Sequence, residues 1–235
     1  MNLIELVKEF GEEEDHHRVS LKRHFEAHLK SWMNDCNESE PASGEAIAVR
    51  VLDLNADDGF FIKTYTGSCS SWVNSEKRNG QPHFSECKKN YADGLEIALR
   101  KLPAFEGTVW RMEEADEEFR KFKWFKKNIG LTISIPYFLS TSKENWDNSP
   151  MIWNINTINK GSGRDISSIA NDPQEQEVLF LPKSKFRIKG VANDNKTVYM
   201  EELDPDAKTE FELCGVYDMT QEDYDKLDRR LGMFD

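Results

Sequence analysis

The chain lacks any apolar run near the roughly 20 residues that a membrane helix needs, and its mean hydropathy is -0.71. It also lacks a basic surplus. Against 43 Asp and Glu there are 31 Lys and Arg, a net charge of -12, which repels polyanions at long range and weighs against a sequence-independent nucleic-acid binder. A small anionic ligand stays open, because a few local arginines can hold it. Cysteine is scarce, with four at positions 36, 69, 87 and 214 and no C-x-x-C pair. That spacing suits neither zinc nor thioredoxin-like chemistry, so no metal is expected and the thiols are read as reduced and structural. The start, MNLIELVKEFGEEEDHH, lacks the basic residues and continuous apolar stretch of a cleavable signal peptide, which points to work in a cytosol. No fixed repeat period appears, and the dinucleotide fingerprint G-x-G-x-x-G is absent. What is present is a core: 38% hydrophobic residues, including 14 Phe, 6 Trp and 6 Tyr, in 235 residues. A chain of that length buries roughly 70% of its extended surface and needs no staple. One domain with an extension is expected rather than two equal domains.

Residues 1–34 carry apolar positions at helical spacing, Leu3, Leu6, Val7 and Phe10 and then Leu21, Phe25, Leu29 and Trp32. NESEPASGE at 37–45 breaks the pattern and marks the boundary between a helical extension, 1–44, and the main domain, 45–235. His24 and His28 share a helix face, but no third metal ligand follows at a supporting spacing, so a solvated face is the better reading. Helical text continues to about residue 102, with Leu95, Ala98, Leu99 and Leu102 on one stripe. GTVWR at 107–111 then reads as a strand. A helix is expected over 113–127, with acids at its start and lysines at its end to complement the dipole. From 131 onward strands dominate: TISIPYFLSTS, MIWNINTI, EQEVLFLP, and KFRIKGVA with TVYMEEL joined by the turn NDNK. GSGR at 161–164 reads as a short glycine loop, and 218–230 as a closing helix. Helices first and strands later is the order of an α+β domain rather than a βαβ nucleotide fold.

Three strand-associated elements carry chemistry. Arg111 is placed at the end of an otherwise apolar strand, either as a surface charge or as a fork for phosphate or carboxylate. Ser140, Thr141 and Ser142 close the strand YFL with small hydroxyls, which alone would be a turn cap. Glu175 and Glu177 lead into VLFLP and, on a strand, would project from the same face. Two like charges so close repel unless a cation sits over them.

Taken in this order, the Arg, the Ser-x-Ser and the Glu-x-Glu resemble the mono-ADP-ribosyltransferase family, in its arginine-specific, bacterial toxin or effector-like group. YTGS at 65–68 with WVNSEKR, carrying Asn74 and Arg78, is similar to the family's helical segment before the first strand. GSGRDISSIANDPQEQEVLFLPKSKFRI is similar to its glycine loop, substrate loop, acid pair and next strand. The likeness covers about residues 54–202, with Met112 where the family often has Gly. It implies an ADP-ribosyltransferase-like fold: N-terminal helices, then two packed antiparallel-rich β-sheets around an NAD cleft. It also implies an activity, cleavage of the nicotinamide–ribose bond of NAD and transfer of ADP-ribose to a protein arginine.

The roles follow by the same resemblance. As nicotinamide leaves, the ribose becomes cationic, and Glu177 would stabilise that charge, with Ser140 holding carboxylate and ribose in register. Arg111 and Arg78, and after them Arg164, would meet the pyrophosphate, and Asn74, Thr141 and Ser142 would complete the NAD site. Glu175 goes with arginine as the acceptor. A guanidinium stays protonated because its pKa exceeds ~12, so it needs a carboxylate to orient it and take its proton. SSIANDP, 167–173, would meet the acceptor protein, or be an ordinary turn. Beside this reading stand an NAD glycohydrolase, a silent binding module of the same fold, and a nucleic-acid acceptor, against which the charge weighs. Residues 1–44 are open to a secretion or chaperone-binding role, docking of an immunity or activating protein, or simple packing. Export by a route without a signal peptide fits an effector.

Overall fold

In the computed structural model the described residues are Leu6, 28–83, 85–113, 120–146, 149–194 and 196–214. Most of the first expected helices, His24 and the closing helix over 218–230 lie outside them. The chain divides into two compact units, one of 1–76, 81–103 and 164–177, the other of 77–80, 104–163 and 178–235.

The first unit is helical, and its helices start where capping side chains allow. After α1, covering 28–37, Ser43 caps α2, Gly44–Val51. Asn55 and Asp58 form a capping box on α3, Ala56–Thr64, with backbone-to-side-chain bonds of 2.8 and 3.0 Å. The helix continues as a π-helical turn, Tyr65–Cys69, and then α4, Ser70–Arg78. Ser85 caps α5, Glu86–Lys101. Its expected stripe is the buried one: Leu95, Ala98 and Leu99 are at 0% exposure and Leu102 at 4%.

Gly59 lets α3 approach its neighbours, since a Cβ there would overlap Val49 and lie 2.7 Å from Trp32 Cζ2, both buried. In an open helix Gly→Ala gains about 0.5–1 kcal/mol, whereas overpacking a core costs about 1–3. Because both neighbours are fixed by packing, overlap wins. Gly59→Ala is therefore expected to destabilise, and urea denaturation showing a gain instead would refute this packing.

Strands make up most of the second unit, as the alternation predicts, while Arg164, Asp165 and Glu177 at strand ends are counted with the first. The strands are β1 Thr108–Glu113, β2 Thr132–Ile135, β3 Leu139–Ser142, β4 Met151–Asn156, β5 Gly163–Asp165, β6 Glu177–Phe180, β7 Ser184–Val191, β8 Thr197–Glu202 and β9 Phe211–Glu212. All nine join one ladder in the order β5-β6-β3-β1-β4-β8-β7-β2-β9, so the strands expected as two sheets run on through hydrogen-bonded neighbours. β1 pairs antiparallel with both β3 and β4, while β4 with β8 and β2 with β9 are parallel. Val109, Trp153, Ile155, Ile188 and Val198 fill its core with Phe122 and Phe125 of α6, Arg120–Lys127. Phe125 meets Trp153 edge-on at 5.5 Å. Among the described residues no helix is long and apolar enough to cross a membrane.

Two expectations shift. Glu113, read as the first residue of a helix, is the last of β1, because it pairs with Met151 across the ladder. Gly163 and Arg164, read as loop, belong to β5.

Candidate active site

Strand β1 does not end at Arg111. It runs on through Met112 to Glu113, and a period of two turns Arg111 and Glu113 to the same face, where the burial alternates. The two side chains form a close ion pair through Nε, with relative exposures of 9% and 4%. Arg111 Nη1 also donates to the Ser140 carbonyl at 2.8 Å. A surface charge at a strand end is thus excluded: this guanidinium is buried, oriented and tied to β3. The Glu113 carboxylate and the Ser140 carbonyl fix the guanidinium fork from two sides. Glu113→Gln keeps an acceptor but removes the counter-charge of a buried cation. The expected cost is roughly 1–3 kcal/mol of folding stability, read in urea; an unchanged midpoint would refute the pairing.

The hydroxyl strand is bonded on the other side too. β3 opposes β1 with Trp110 across from Ser142, and Thr141 Oγ1 donates 2.7 Å to the carbonyl of Val178, the residue that follows Glu177. Ser140 is half-buried, whereas Thr141 and Ser142 are buried. Arg78 lies over the Tyr137 ring at 5.4 Å. In the other unit Asn74, 1% exposed, donates to the Tyr65 hydroxyl at 3.1 Å, and Arg164 is half-buried on β5.

The acid pair is built differently from the expectation. Asp172 accepts from the Gln174 N–H at 2.9 Å and caps a one-turn 3-10 helix, Pro173–Glu175, with Pro173 at its first position. Gln176 then takes the left-handed conformation, φ 50° and ψ 43°, with its amide Nε2–H bonded to the Pro173 carbonyl at 3.0 Å. Only Glu177 is in the strand. Consequently the two acids do not share a strand face: Glu175 is exposed on the turn, and Glu177 is 4% exposed at the start of β6. Desolvation, and then the neighbouring charge of Asp172, push the Glu175 carboxyl above the ordinary glutamate range.

A further buried acid had no local signal in the sequence. Glu202, 1% exposed, accepts from the Ser162 N–H at 2.5 Å, the Ser162 hydroxyl at 2.6 Å and the Ile158 N–H at 3.2 Å, and so holds the glycine loop. Its partners lie 40 and 44 positions away, beyond any motif window. Glu113 could have been found, because Arg-x-Glu on an alternating strand puts both on one face. None of the four cysteines is in a disulfide; burial pushes the Cys69 thiol up to about 12 and Cys36 to about 11, which leaves neither as a thiolate nucleophile. Among the described residues no group of three His, Cys, Asp or Glu is placed to hold a metal ion.

The family model described as ADP-ribosyltransferase exoenzyme matches residues 44–209. A Mycobacterium avium (strain 104) protein that carries the provisional name NAD(+)–arginine ADP-ribosyltransferase Mav is 32% identical over 151 residues. That stretch is 61% of this chain and 17% of the relative, so the chain spans about a sixth of that protein's length. Among solved structures, the ADP-ribosyltransferase HopU1 of Pseudomonas syringae pv. Tomato DC3000 aligns over 74% of this chain and 87% of its own, with a TM-score of 0.60 at 19% identity. The ADP-ribosyltransferase Vis, from Vibrio splendidus and solved with agmatine, aligns over 79% and 96%, with a TM-score of 0.54 at 19% identity. The chain belongs to the ADP-ribosyltransferase exoenzyme family, and its fold is that of these solved ADP-ribosyltransferases.

Proposed function

We propose that this exoenzyme cleaves NAD and transfers ADP-ribose to arginine side chains of a target protein, releasing nicotinamide. One observation carries the reading: two acids separated by a single residue are held in opposite environments, Glu177 buried at a strand start and Glu175 exposed on a capped turn. Buried, Glu177 acts in low dielectric, where a carboxylate attracts the developing ribose cation most strongly. Exposed, Glu175 can be reached by a protein side chain. Its raised pKa makes it a better proton acceptor for a guanidinium than an ordinary glutamate. The Mycobacterium relative, named as an NAD(+)–arginine ADP-ribosyltransferase, and the Vis structure, solved with agmatine, agree with a guanidinium acceptor.

In this reading NAD supplies the glycosidic bond that is broken and the ADP-ribose that moves. Arg111, already oriented by Glu113 and the Ser140 carbonyl, holds a phosphate with little entropic cost. Arg78 and Arg164 are the further cations for the pyrophosphate. Ser140 positions the ribose, Thr141 fixes the segment that carries Glu177 by its bond to Val178, and Ser142 and Asn74 are further candidates for contact with NAD. The enzyme would act in a cytosol, and residues 1–44 would receive a chaperone, immunity or activating protein.

Incubation with labelled NAD and a cell lysate, followed by mass spectrometry, tests this. Label on arginine of a dominant protein supports the proposal. Nicotinamide release indifferent to added protein would replace it with a glycohydrolase, and no NAD turnover with a silent binding module.

A further inference from the structure

We infer that the π-helical turn Tyr65–Cys69 is the seat of the loop 166–177, and that Thr66 and Gly67 are positioning residues for the acceptor; this rests on the proposed transferase reading. The loop is closed at its base, where the Ile166 N–H donates to the Glu177 carbonyl at 3.1 Å. Ile166, Ile169 and Ala170 are all at 0% exposure and anchor its first half. Its second half, Asn171 to Glu175, is exposed and ends in the turn that presents Glu175.

Two features of the π-helical turn fix where those halves meet. Thr66 Oγ1 donates its proton to the Lys63 carbonyl at 2.9 Å, which leaves its lone pairs to accept the Asn171 N–H, also at 2.9 Å. The hydroxyl is therefore oriented by its own helix before it meets the loop. At Gly67 a Cβ would lie 2.5 Å from Asn171 Nδ2, so a side chain there would have to displace the exposed Asn171 amide group. Both residues belong to the π-helical turn Tyr65–Cys69, an irregularity of a kind that recurs at functional sites. Asn171 is the first exposed residue after the buried anchor. Its position sets the start of Asp172–Glu175 and with it the reach of the Glu175 carboxyl, while Glu177 is held separately as a strand residue.

Substitution at Thr66 should therefore separate acceptor use from NAD cleavage. With agmatine as acceptor, Thr66→Val is expected to raise the acceptor KM roughly five- to tenfold, the loss of one hydrogen bond, with NAD KM and acceptor-free hydrolysis within about twofold of the wild type. Thr66→Ser, which keeps the hydroxyl, should restore the acceptor KM. An unchanged acceptor KM in Thr66→Val, or a parallel fall in hydrolysis, would overturn the inference. Amide hydrogen exchange is the arm independent of activity: Asn171 should exchange faster in Thr66→Val and as the wild type in Thr66→Ser. Equal Asn171 protection in all three proteins overturns the seat whatever the activities, whereas a wild type that cannot use agmatine while cleaving NAD overturns the transferase reading and leaves the exchange result to judge the seat.

Discussion

Glu177→Gln is expected to reduce NAD cleavage and ADP-ribose transfer together, by roughly 10²–10³-fold, the usual cost of removing one preorganised electrostatic contact at a reacting centre. The two must fall by the same factor, because both reactions pass through the same cationic ribose and the carboxylate acts before the acceptor is used. The amide is nearly isosteric, and its site is buried at 4% exposure, so packing and the start of β6 are retained. Only the charge that grows in importance as the bond breaks is removed. Steady-state nicotinamide release with and without acceptor measures this, alongside NAD affinity by calorimetry. A lower kcat with little change in NAD affinity identifies a contact made chiefly in the transition state. Retention of more than a tenth of the cleavage rate would remove Glu177 from the role.

Glu175→Gln is expected to abolish transfer to arginine, by roughly 10²–10⁴-fold, while much of the NAD hydrolysis survives. The difference follows from placement: Glu175 lies on an exposed 3-10 turn outside the strand that begins with Glu177. Its titration supplies a second readout. Desolvation and Asp172 raise its pKa, so on acidification it takes up a proton at a higher pH than the ordinary glutamate value of about 4.3. Since the acceptor proton goes to the carboxylate form, the ratio of transfer to hydrolysis should fall as pH drops through that raised value and recover above it. In Glu175→Gln the ratio should be low and flat with pH. Equal loss of both activities in the variant would end the division of labour between the two acids.

Much of the fold was legible because its periodicities are local. Alternation marks MIWNINTI, whose Met151, Trp153 and Ile155 are all buried, and the stripe Leu95, Ala98, Leu99 and Leu102 marks α5. β5 and β9, three and two residues long, are too short to carry a period and exist only through their neighbours. At Glu113 two signals competed. The acidic run suggested a helix start, but pairing with Met151 and the ion pair with Arg111 keep the residue in the strand. Gln176 illustrates the same limit. Nothing in QEQE announces a left-handed residue, yet the capped turn before it and the strand after it require one.

The order of residue types along the chain by itself determined the helix-then-strand architecture and singled out the Arg, the Ser and the Glu pair as candidates, because propensity, alternation and motif spacing act over a few residues. Only the tertiary structure decided which of those groups is buried, which is exposed and what each is bonded to. Arg111 gains Glu113 and the Ser140 carbonyl, Glu202 takes hold of a loop 40 positions upstream, and Thr66 meets Asn171 across 105 residues. Such contacts form when the chain closes on itself, and the energy of a charge or a hydrogen bond depends on the dielectric and partners found there.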